Sequence, residues 1–212
     1  MPDLVFYTNP MSRGRIVRWM LEVLGQPYET RLLAYGPEMK SPDYLAINPM
    51  GKVPAIRHGD AVVTECAAIC CYLADAFPEA GLAPPHGSPL RAPYYRWMFF
   101  AAGPVEAAIT NRSFGFDLPD DPQARGRAGW GSYEAVCDAL EALLADGRDH
   151  VTGDAFSAAD VYLGAQIIWG LQFGTLPDRP GFKAYAERLQ ARPAARRARQ
   201  IDDALMPPGD AR

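Results

Sequence analysis

Two kinds of hydrophobic pattern divide this chain, and the change between them falls near residue 80. Before it, short apolar or alternating runs predict strands, and apolar spacings of three and four residues predict helices between them. The predicted elements are a strand at 4–8, a helix at 12–24, a strand at 28–33, a short helix at 42–47, a hairpin at 53–57 and 61–64, and a helix at 65–77. The order βαβ, short α, ββα predicts a parallel pair extended by an antiparallel hairpin.

After residue 89 the strand patterns stop and helical spacings continue. Leu90–Asn111 is predicted to be helical with a kink at Pro104, and later stripes recur at helical spacing, namely Trp130, Tyr133, Cys137, Leu140 and Leu144, then Phe182, Tyr185 and Leu189. Between the halves, Pro78–Pro89 holds four prolines and two glycines, which predicts a linker. We therefore expect an α/β domain over residues 1–77, a linker over 78–89 and an all-helical domain over 90–212.

Composition and charge narrow the function classes. The 212 residues are 49% hydrophobic and 22% charged with a net charge of −4, so nucleic acid and anionic membranes are not expected partners. No apolar run approaches the roughly 20 residues of a spanning helix, and Met1–Pro10 does not resemble a signal peptide. The four cysteines predict a reduced, cytoplasmic protein, and the scattered histidines predict no metal site.

The segment Asn48–Cys66 carries the most specific chemistry. Pro54 cannot donate a backbone hydrogen bond, and X-Pro is the bond at which cis is least costly, so we predict a cis bond after Val53. That geometry would expose the Val53 backbone for pairing with an extended peptide. Glu65 and the amide that follows it, at a helix start, could hold the ammonium and carboxylate of a zwitterion.

Ser12 is predicted to lie where the first strand passes into the first helix. Its hydroxyl could cap that helix, donate to a bound thiolate, or do both, because a hydroxyl has one donor and two acceptor sites. The helix N-terminus, with Arg13, Arg15 and Arg18 nearby, would favour the anion. Tyr7 is the alternative donor, although an aromatic residue at a strand end more often packs in the core.

Two further patterns belong to the helical half. Ser157 and Asp160 fit a capping box at the start of an apolar helix, which indicates a structural role rather than a catalytic one. A group of aromatic residues cannot all face inward on one helix, so some are expected to line a cleft: Tyr94, Tyr95, Trp97, Phe99, Phe100, Phe114 and Phe116.

Taken together, these motifs resemble the cytosolic glutathione transferases, and the bacterial serine-type members in particular. The resemblance covers nearly the whole chain, through the Tyr7–Ser12 loop, Arg18–Glu22, Asn48–Pro54, Thr64-Glu65 and Ser157–Asp160. It implies a thioredoxin-like N-terminal domain, an all-helical C-terminal domain, a homodimer, and glutathione as co-substrate for a hydrophobic electrophile.

The resemblance also implies roles for individual residues. Val53 would pair with the cysteinyl backbone of glutathione before a cis Pro54, Glu65 and the amide of Cys66 would hold the γ-glutamyl end, and Lys52 would reach the glycine carboxylate. Ser12 or Tyr7 would activate the thiol. Cys66 departs from the serine usual in the family, which puts the strength of binding in question.

The expected function is a transferase that turns glutathione into a thiolate for attack on an electrophilic carbon. The alternatives are glutathione-dependent reduction of peroxides or mixed disulfides, and a transferase-like binding protein without turnover. Asn9 and Ser12 occupy the spacing of a Cys-x-x-Cys pair and neither is cysteine, which argues against dithiol redox chemistry.

Overall fold

The computed structural model describes residues 3–206. The chain forms two compact units, Met1–Leu82 together with Ala191–Arg212, and Ala83–Gln190. Residues 1–2 and 207–212, which the predicted domains include, lie outside the described residues. The sequence-based division places the last helix with the second domain, whereas in the structure that helix packs on the first helix of the chain and so groups with the first unit.

The first unit contains the sheet and the helices around it. Its strands are β1 (Leu4–Thr8), β2 (Glu29–Leu32), β3 (Ala55–His58) and β4 (Ala61–Thr64). Its helices are α1 (Gly14–Leu24), α2 (Pro42–Leu45), α3 (Cys66–Ala76) and α10 (Pro193–Ala204), with short 3₁₀ turns at Glu38–Lys40 and Pro78–Ala80. All four strands and the first three helices match the predicted segments to within two residues at each end.

The sheet has the order β2-β1-β3-β4. β1 pairs in parallel with β2 across the α1 connection, and antiparallel with β3, which pairs antiparallel with β4. β1 is buried along its whole length because it is a central strand, whereas the last two residues of β2 and the first two of β4 are exposed. The predicted fold class, a mixed α/β domain followed by helices, is confirmed.

The regular elements described in the second unit are helices joined by loops, with one isolated β-bridge between His150 and Gly153. It comprises α4 (Arg91–Phe100), α5 (Glu106–Ser113), α6 (Pro122–Arg127), α7 (Tyr133–Leu144), α8 (Ala158–Gln172) and α9 (Pro180–Gln190). Pro104, where a kink was expected, lies in a π-helical turn over Ala101–Val105 that joins α4 to α5. Pro104 cannot donate a backbone hydrogen bond, and the π-helical turn lies at this interruption of the helix.

Candidate functional site

Three segments that carry predicted site residues leave the sheet at the same edge. Tyr7 at the end of β1 pairs with Ala55 at the start of β3, and Ala55 pairs with Thr64 at the end of β4. The loop after β1, the segment before β3 and the turn after β4 therefore emerge side by side. Adjacent strands lie about 4.8 Å apart, so this edge spans roughly 10 Å from β1 to β4.

Asn9 organises the loop after β1. Its side-chain amide donates to the carbonyl oxygen of Leu33 at 2.9 Å, and its Oδ1 accepts from the N–H of Met11 at 2.9 Å. Its backbone carbonyl accepts from both the N–H and the hydroxyl of Ser12, at 3.0 and 2.7 Å. The loop is thereby fixed to the end of β2 and closed on itself.

Ser12 is half-buried and lies just before α1. The prediction that it is the N-cap is wrong by one residue, because Arg13 is the N-cap and the helix begins at Gly14. The Ser12 hydroxyl nevertheless accepts from the first helical N–H, that of Gly14, at 2.9 Å, while it donates to Asn9. A Cβ at position 14 would collide with the Thr8 side chain, so glycine is required for this close approach.

Two of the cations expected to favour an anion at Ser12 are already neutralised. Arg15 forms an ion pair with Asp203 at 2.7 Å, and Arg18 forms one with Asp202 at 3.2 Å. Arg18 is 1% exposed, and its guanidinium lies against the rings of Phe6 and Tyr28. Both arginines are therefore paired with aspartates, and the expectation that they and the N-terminus of α1 favour a thiolate at Ser12 stays a prediction.

Tyr7 belongs to the core of the first unit. Its ring packs 5.8 Å from that of Tyr44, centroid to centroid, in a buried cluster with Val5, Met39 and Ala55. The side chain is 6% exposed. This position is the core alternative that the sequence left open for Tyr7.

The segment before β3 is held through its backbone. The carbonyl oxygen of Lys52 accepts from the Tyr44 hydroxyl at 2.6 Å and from the Asn48 side-chain amide at 2.7 Å. Burial raises the pKa of Tyr44 to about 12, which keeps its hydroxyl a donor at neutral pH. The bond between Val53 and Pro54 is cis, as predicted. Lys52 is exposed, Val53 is half-buried against the core cluster, and Pro54 is buried.

Asn48 and Gly51 shape this segment, and the sequence reading assigned no role to either. Gly51 has a φ of +57°, and a Cβ there would lie 2.5 Å from the carbonyl oxygen of Met39, so only glycine fits. Its N–H donates to the carbonyl of Asn48 at 2.7 Å. The Asn-Pro-x-Gly spelling is a turn signal that could have identified both residues, whereas nothing local indicates Tyr44.

Glu65 has an unusual backbone at the start of α3. Its φ is +68°, and no other non-glycine residue among residues 3–206 has a positive φ. Such a conformation costs about 1–3 kcal/mol and is found most often at functional sites. The side chain is exposed, and the first intrahelical bond of α3 runs from Ile69 to the Glu65 carbonyl at 2.9 Å. The strain therefore presents a carboxylate beside the first N–H groups of a helix.

Cys66, the first residue of α3, joins two of the segments. Its side chain is buried and its thiol donates to the carbonyl oxygen of Arg13 at 3.5 Å. This contact ties the start of α3 to the start of α1, so both helix N-termini lie at the same edge of the sheet. The structure therefore gives Cys66 a joining role that the sequence reading did not anticipate.

Other chemistry in the described residues is limited. Cys66, Cys70, Cys71 and Cys137 are free thiols, and burial raises the pKa of Cys70 well above its ordinary value. Within residues 3–206, no three His, Cys, Asp or Glu side chains come together as a potential metal site. None of the helices described is both long and apolar enough to cross a membrane.

The second unit contains the capping box and the aromatic group. Ser157 and Asp160 form the predicted box at the start of α8. Of the aromatic residues, Tyr94 and Trp97 are buried, whereas Tyr95, Phe99, Phe114 and Phe116 are exposed. The expectation that they could not all face inward is confirmed; which of them line a cleft stays a prediction.

Comparisons with known proteins agree with this geometry. Residues 11–76 match the family model described as glutathione S-transferase, N-terminal domain, and residues 107–188 match the one described as glutathione S-transferase, C-terminal domain. Glutathione S-transferase GST-4.5 of Xanthomonas campestris is 30% identical over 87% of this chain and 92% of its own length.

Two solved structures extend the likeness to the whole fold. A glutathione transferase from Methylococcus capsulatus has a TM-score of 0.75 at 30% identity, covering 96% of this chain and 100% of its own. A sphingomonad glutathione S-transferase, solved in complex with glutathione, has a TM-score of 0.71 at 29% identity, covering 93% and 98%. With the motifs, the sheet topology and both family models in agreement, this chain belongs to the glutathione S-transferase family of enzymes.

Proposed function

We propose that this protein binds glutathione along the sheet edge described above, and that Ser12 holds the glutathione thiol as a thiolate for attack on a hydrophobic electrophile. The observation that carries the proposal is the convergence of three segments at that edge. An extended tripeptide reaches about 10 Å, which is the distance covered by two strand spacings. The complex of the sphingomonad relative with glutathione supports the choice of ligand.

The docking roles follow from the position of each group. The backbone of Val53, ahead of β3, would pair with the cysteinyl residue of glutathione as an added strand. Glu65 and the amide of Cys66, at the start of α3, would take the ammonium and carboxylate of the γ-glutamyl end. Lys52 is exposed beside Val53, so its ammonium would reach the glycine carboxylate.

Ser12 can activate the thiol by exchanging one acceptor for another. Its hydroxyl donates to the neutral carbonyl of Asn9, a bond of about 0.5–1.5 kcal/mol, whereas a bond to an ionised acceptor contributes about 1.5–3 kcal/mol. A thiolate within reach of Ser12 would therefore replace the Asn9 carbonyl as the acceptor of the hydrogen bond from the Ser12 hydroxyl. The Gly14 N–H, which donates to the Ser12 oxygen, stays in place during the exchange.

Tyr7 is the weaker candidate because its ring is packed in the core against Tyr44. We assign Ser12 as the activating residue and Tyr7 as a core residue. A homodimer follows from the family resemblance, and the four free cysteines fit a reducing, cytoplasmic location.

Ultraviolet titration of bound glutathione tests the proposal. Ser12→Ala should raise the apparent pKa of the bound thiol by about one to two units and lower turnover near neutral pH by roughly ten- to a hundredfold. Glutathione affinity should change much less, because the docking groups are untouched. Ser12→Thr keeps the hydroxyl and should retain most of the thiolate.

Tyr7→Phe is the matched control, and it should be milder because it removes a hydroxyl and leaves the ring in the core. If Tyr7→Phe lowers thiolate formation strongly and Ser12→Ala only slightly, Tyr7 is the activating residue, and the protein is still a transferase. Absence of bound thiolate in the wild type at pH 7 would favour a binding protein. Faster turnover of peroxides or mixed disulfides than of carbon electrophiles would favour the reductase.

A further inference from the structure

Helix α10 is held on α1 by a ladder of complementary charges. One face of α1 carries two arginines and a glutamate, and α10, running back along it, carries two aspartates and an arginine in the matching order. The pairs are Arg15–Asp203 at 2.7 Å, Arg18–Asp202 at 3.2 Å and Glu22–Arg197 at 3.1 Å.

The Arg15 pair differs from the others because it also reaches the candidate site. Arg15 Nε donates to the carbonyl oxygen of Pro10 at 2.5 Å, while Nη1 donates to Asp203 Oδ1. Pro10 lies in the loop between Asn9, whose carbonyl accepts from Ser12, and Ser12 itself. A single guanidinium therefore connects the last helix of the chain to the loop that carries Ser12.

We propose that Arg15 and Asp203 are positioning residues for Ser12, through which α10 fixes the loop over Asn9–Arg13. The proposal rests on the role given to Ser12 above. A guanidinium is planar and presents its donors in a fixed fork, so Asp203, by fixing one side of the fork, also orients the Nε that holds Pro10. Without Asp203 the Arg15 side chain regains its rotamers, and the Pro10 carbonyl loses a directed donor.

The expected effect is modest because Arg15 and Asp203 are partly exposed, with side-chain exposures of 26% and 45%. Exposed pairs alter equilibria by factors up to about fivefold. The change should appear in the ordering of the loop and in thiolate formation rather than in glutathione affinity. The effect on thiolate formation and turnover should also vanish when the Ser12 hydroxyl is absent.

The test uses the full chain with Asp203→Ala, Arg15→Lys and the control Arg197→Ala. The control removes an ion pair of the same ladder near the far end of α1, away from the loop. Hydrogen exchange at the amides of Ser12 and Gly14 measures loop order without reference to glutathione. The second readout is the apparent pKa of the bound thiol, with kcat and KM measured separately.

Asp203→Ala should speed exchange at both amides by roughly two- to fivefold and lower kcat near neutral pH by a similar factor. Its KM for glutathione should be nearly unchanged. Arg15→Lys keeps the charge and loses the fork, so it should show the same pattern. Arg197→Ala should leave loop exchange and kcat as in the wild type.

The proposal is overturned if Asp203→Ala speeds loop exchange no more than Arg197→Ala does. It is equally overturned if the loss of turnover from Asp203→Ala persists in full in a Ser12→Ala background, since the effect would then not pass through Ser12. A separate result, an unchanged thiol titration in Ser12→Ala alone, would remove the activating role of Ser12. Loop exchange would then still show whether Asp203 orders the loop.

Discussion

Within residues 3–206, each compact unit buries one carboxylate almost completely, and the two are satisfied in different ways. In the second unit Asp160 is 0% exposed and accepts from neutral donors: the N–H groups of Val151 and Ser157 and the hydroxyls of Ser157 and Tyr185. In the first unit Asp202 is 1% exposed and its partner is a buried cation, Arg18. One site is a local hydrogen-bond hub and the other a long-range ion pair.

The difference shows in how completely each site is satisfied. Both oxygens of Asp160 accept two hydrogen bonds each, at 2.7–2.9 Å. At the ion pair, Arg18 Nη2 and Asp202 Oδ2 are buried without a hydrogen-bond partner among the described residues. Replacing a buried ion pair by apolar side chains is often neutral or stabilising, whereas leaving several buried donors unpaired is not. The two carboxylates should therefore respond differently to mutation.

Asp160→Ala should have the largest effect. It leaves the Val151 N–H and the Tyr185 hydroxyl buried without an acceptor, at about 1–3 kcal/mol each, and removes a cap of about 1 kcal/mol. We expect the free energy of unfolding to fall by roughly 3–6 kcal/mol, measured by urea denaturation followed by circular dichroism. Adding Tyr185→Phe removes one orphaned donor and should recover part of the loss. A loss under about 1 kcal/mol would show that the hub is not required.

Asp202→Ala should cost slightly less, about 3–5 kcal/mol, because it leaves the Arg18 cation buried and unpaired. The contrast with Asp160 lies in the rescue. The double variant Arg18→Met with Asp202→Leu replaces both partners by apolar groups and should recover a large part of the loss. If the double variant is as unstable as the single one, the bonds from Arg18 to Tyr28 and Thr30, at 3.0 and 2.8 Å, outweigh the pair itself.

The two carboxylates also differ in whether their roles could be predicted from the sequence. Asp160 was identifiable because its capping box is written in four consecutive residues, with Ser157 at one end. The partnership of Arg18 and Asp202 spans 184 positions, and no local pattern encodes which arginine of α1 meets which aspartate. For the same reason the sequence could not show that Arg15 and Arg18 are paired with aspartates or that α10 packs on α1.

At the candidate site the division is similar. The strands and the cis bond before Pro54 were predictable from short patterns, and so was the position of Ser12 to within one residue. The positive φ of Glu65 was not, because a glutamate gives no sign that its backbone is left-handed. Nor was the bond from Tyr44 to the Lys52 carbonyl, which depends on how α2 packs beside the segment.

Ser157→Ala should have a smaller effect that isolates the local part of the hub. It removes the hydroxyl that donates to Asp160 Oδ2 at 2.9 Å and leaves the other three donors in place. We expect a loss of about 0.5–2 kcal/mol in the free energy of unfolding, with little change in the apparent pKa of bound glutathione. Ser157→Thr keeps the hydroxyl and should be nearly neutral. Loss of activity in a fully stable Ser157→Ala protein would instead indicate a catalytic element.

The smallest expected effect is on how the free energy of unfolding depends on pH. Here the two carboxylates should behave alike. Burial raises the pKa of Asp160 against the pull of its donors, and burial raises the pKa of Asp202 against the pull of Arg18, both above the ordinary value of 3.8. Above pH 3.8, and up to each raised pKa, the folded protein holds a proton that the unfolded chain has released. Each group therefore lowers the free energy of unfolding as pH rises through that window, and its full contribution is present below it.

Asp160→Asn and Asp202→Asn should each remove one part of this slope. Urea denaturation at a series of pH values from about 4 to 7 measures the free energy of unfolding of each variant and of the wild type, and their difference is followed against pH. The Nδ1 atom of His150 lies 3.8 Å from Asp160 Oδ1, so His150→Gln is the control for the second unit. For the first unit the neighbouring charges are Arg15, Arg18 and Asp203. If the wild type instead gains stability relative to either Asn variant as pH rises, the carboxylate is stabilised in its ionised form, and its partners outweigh its burial.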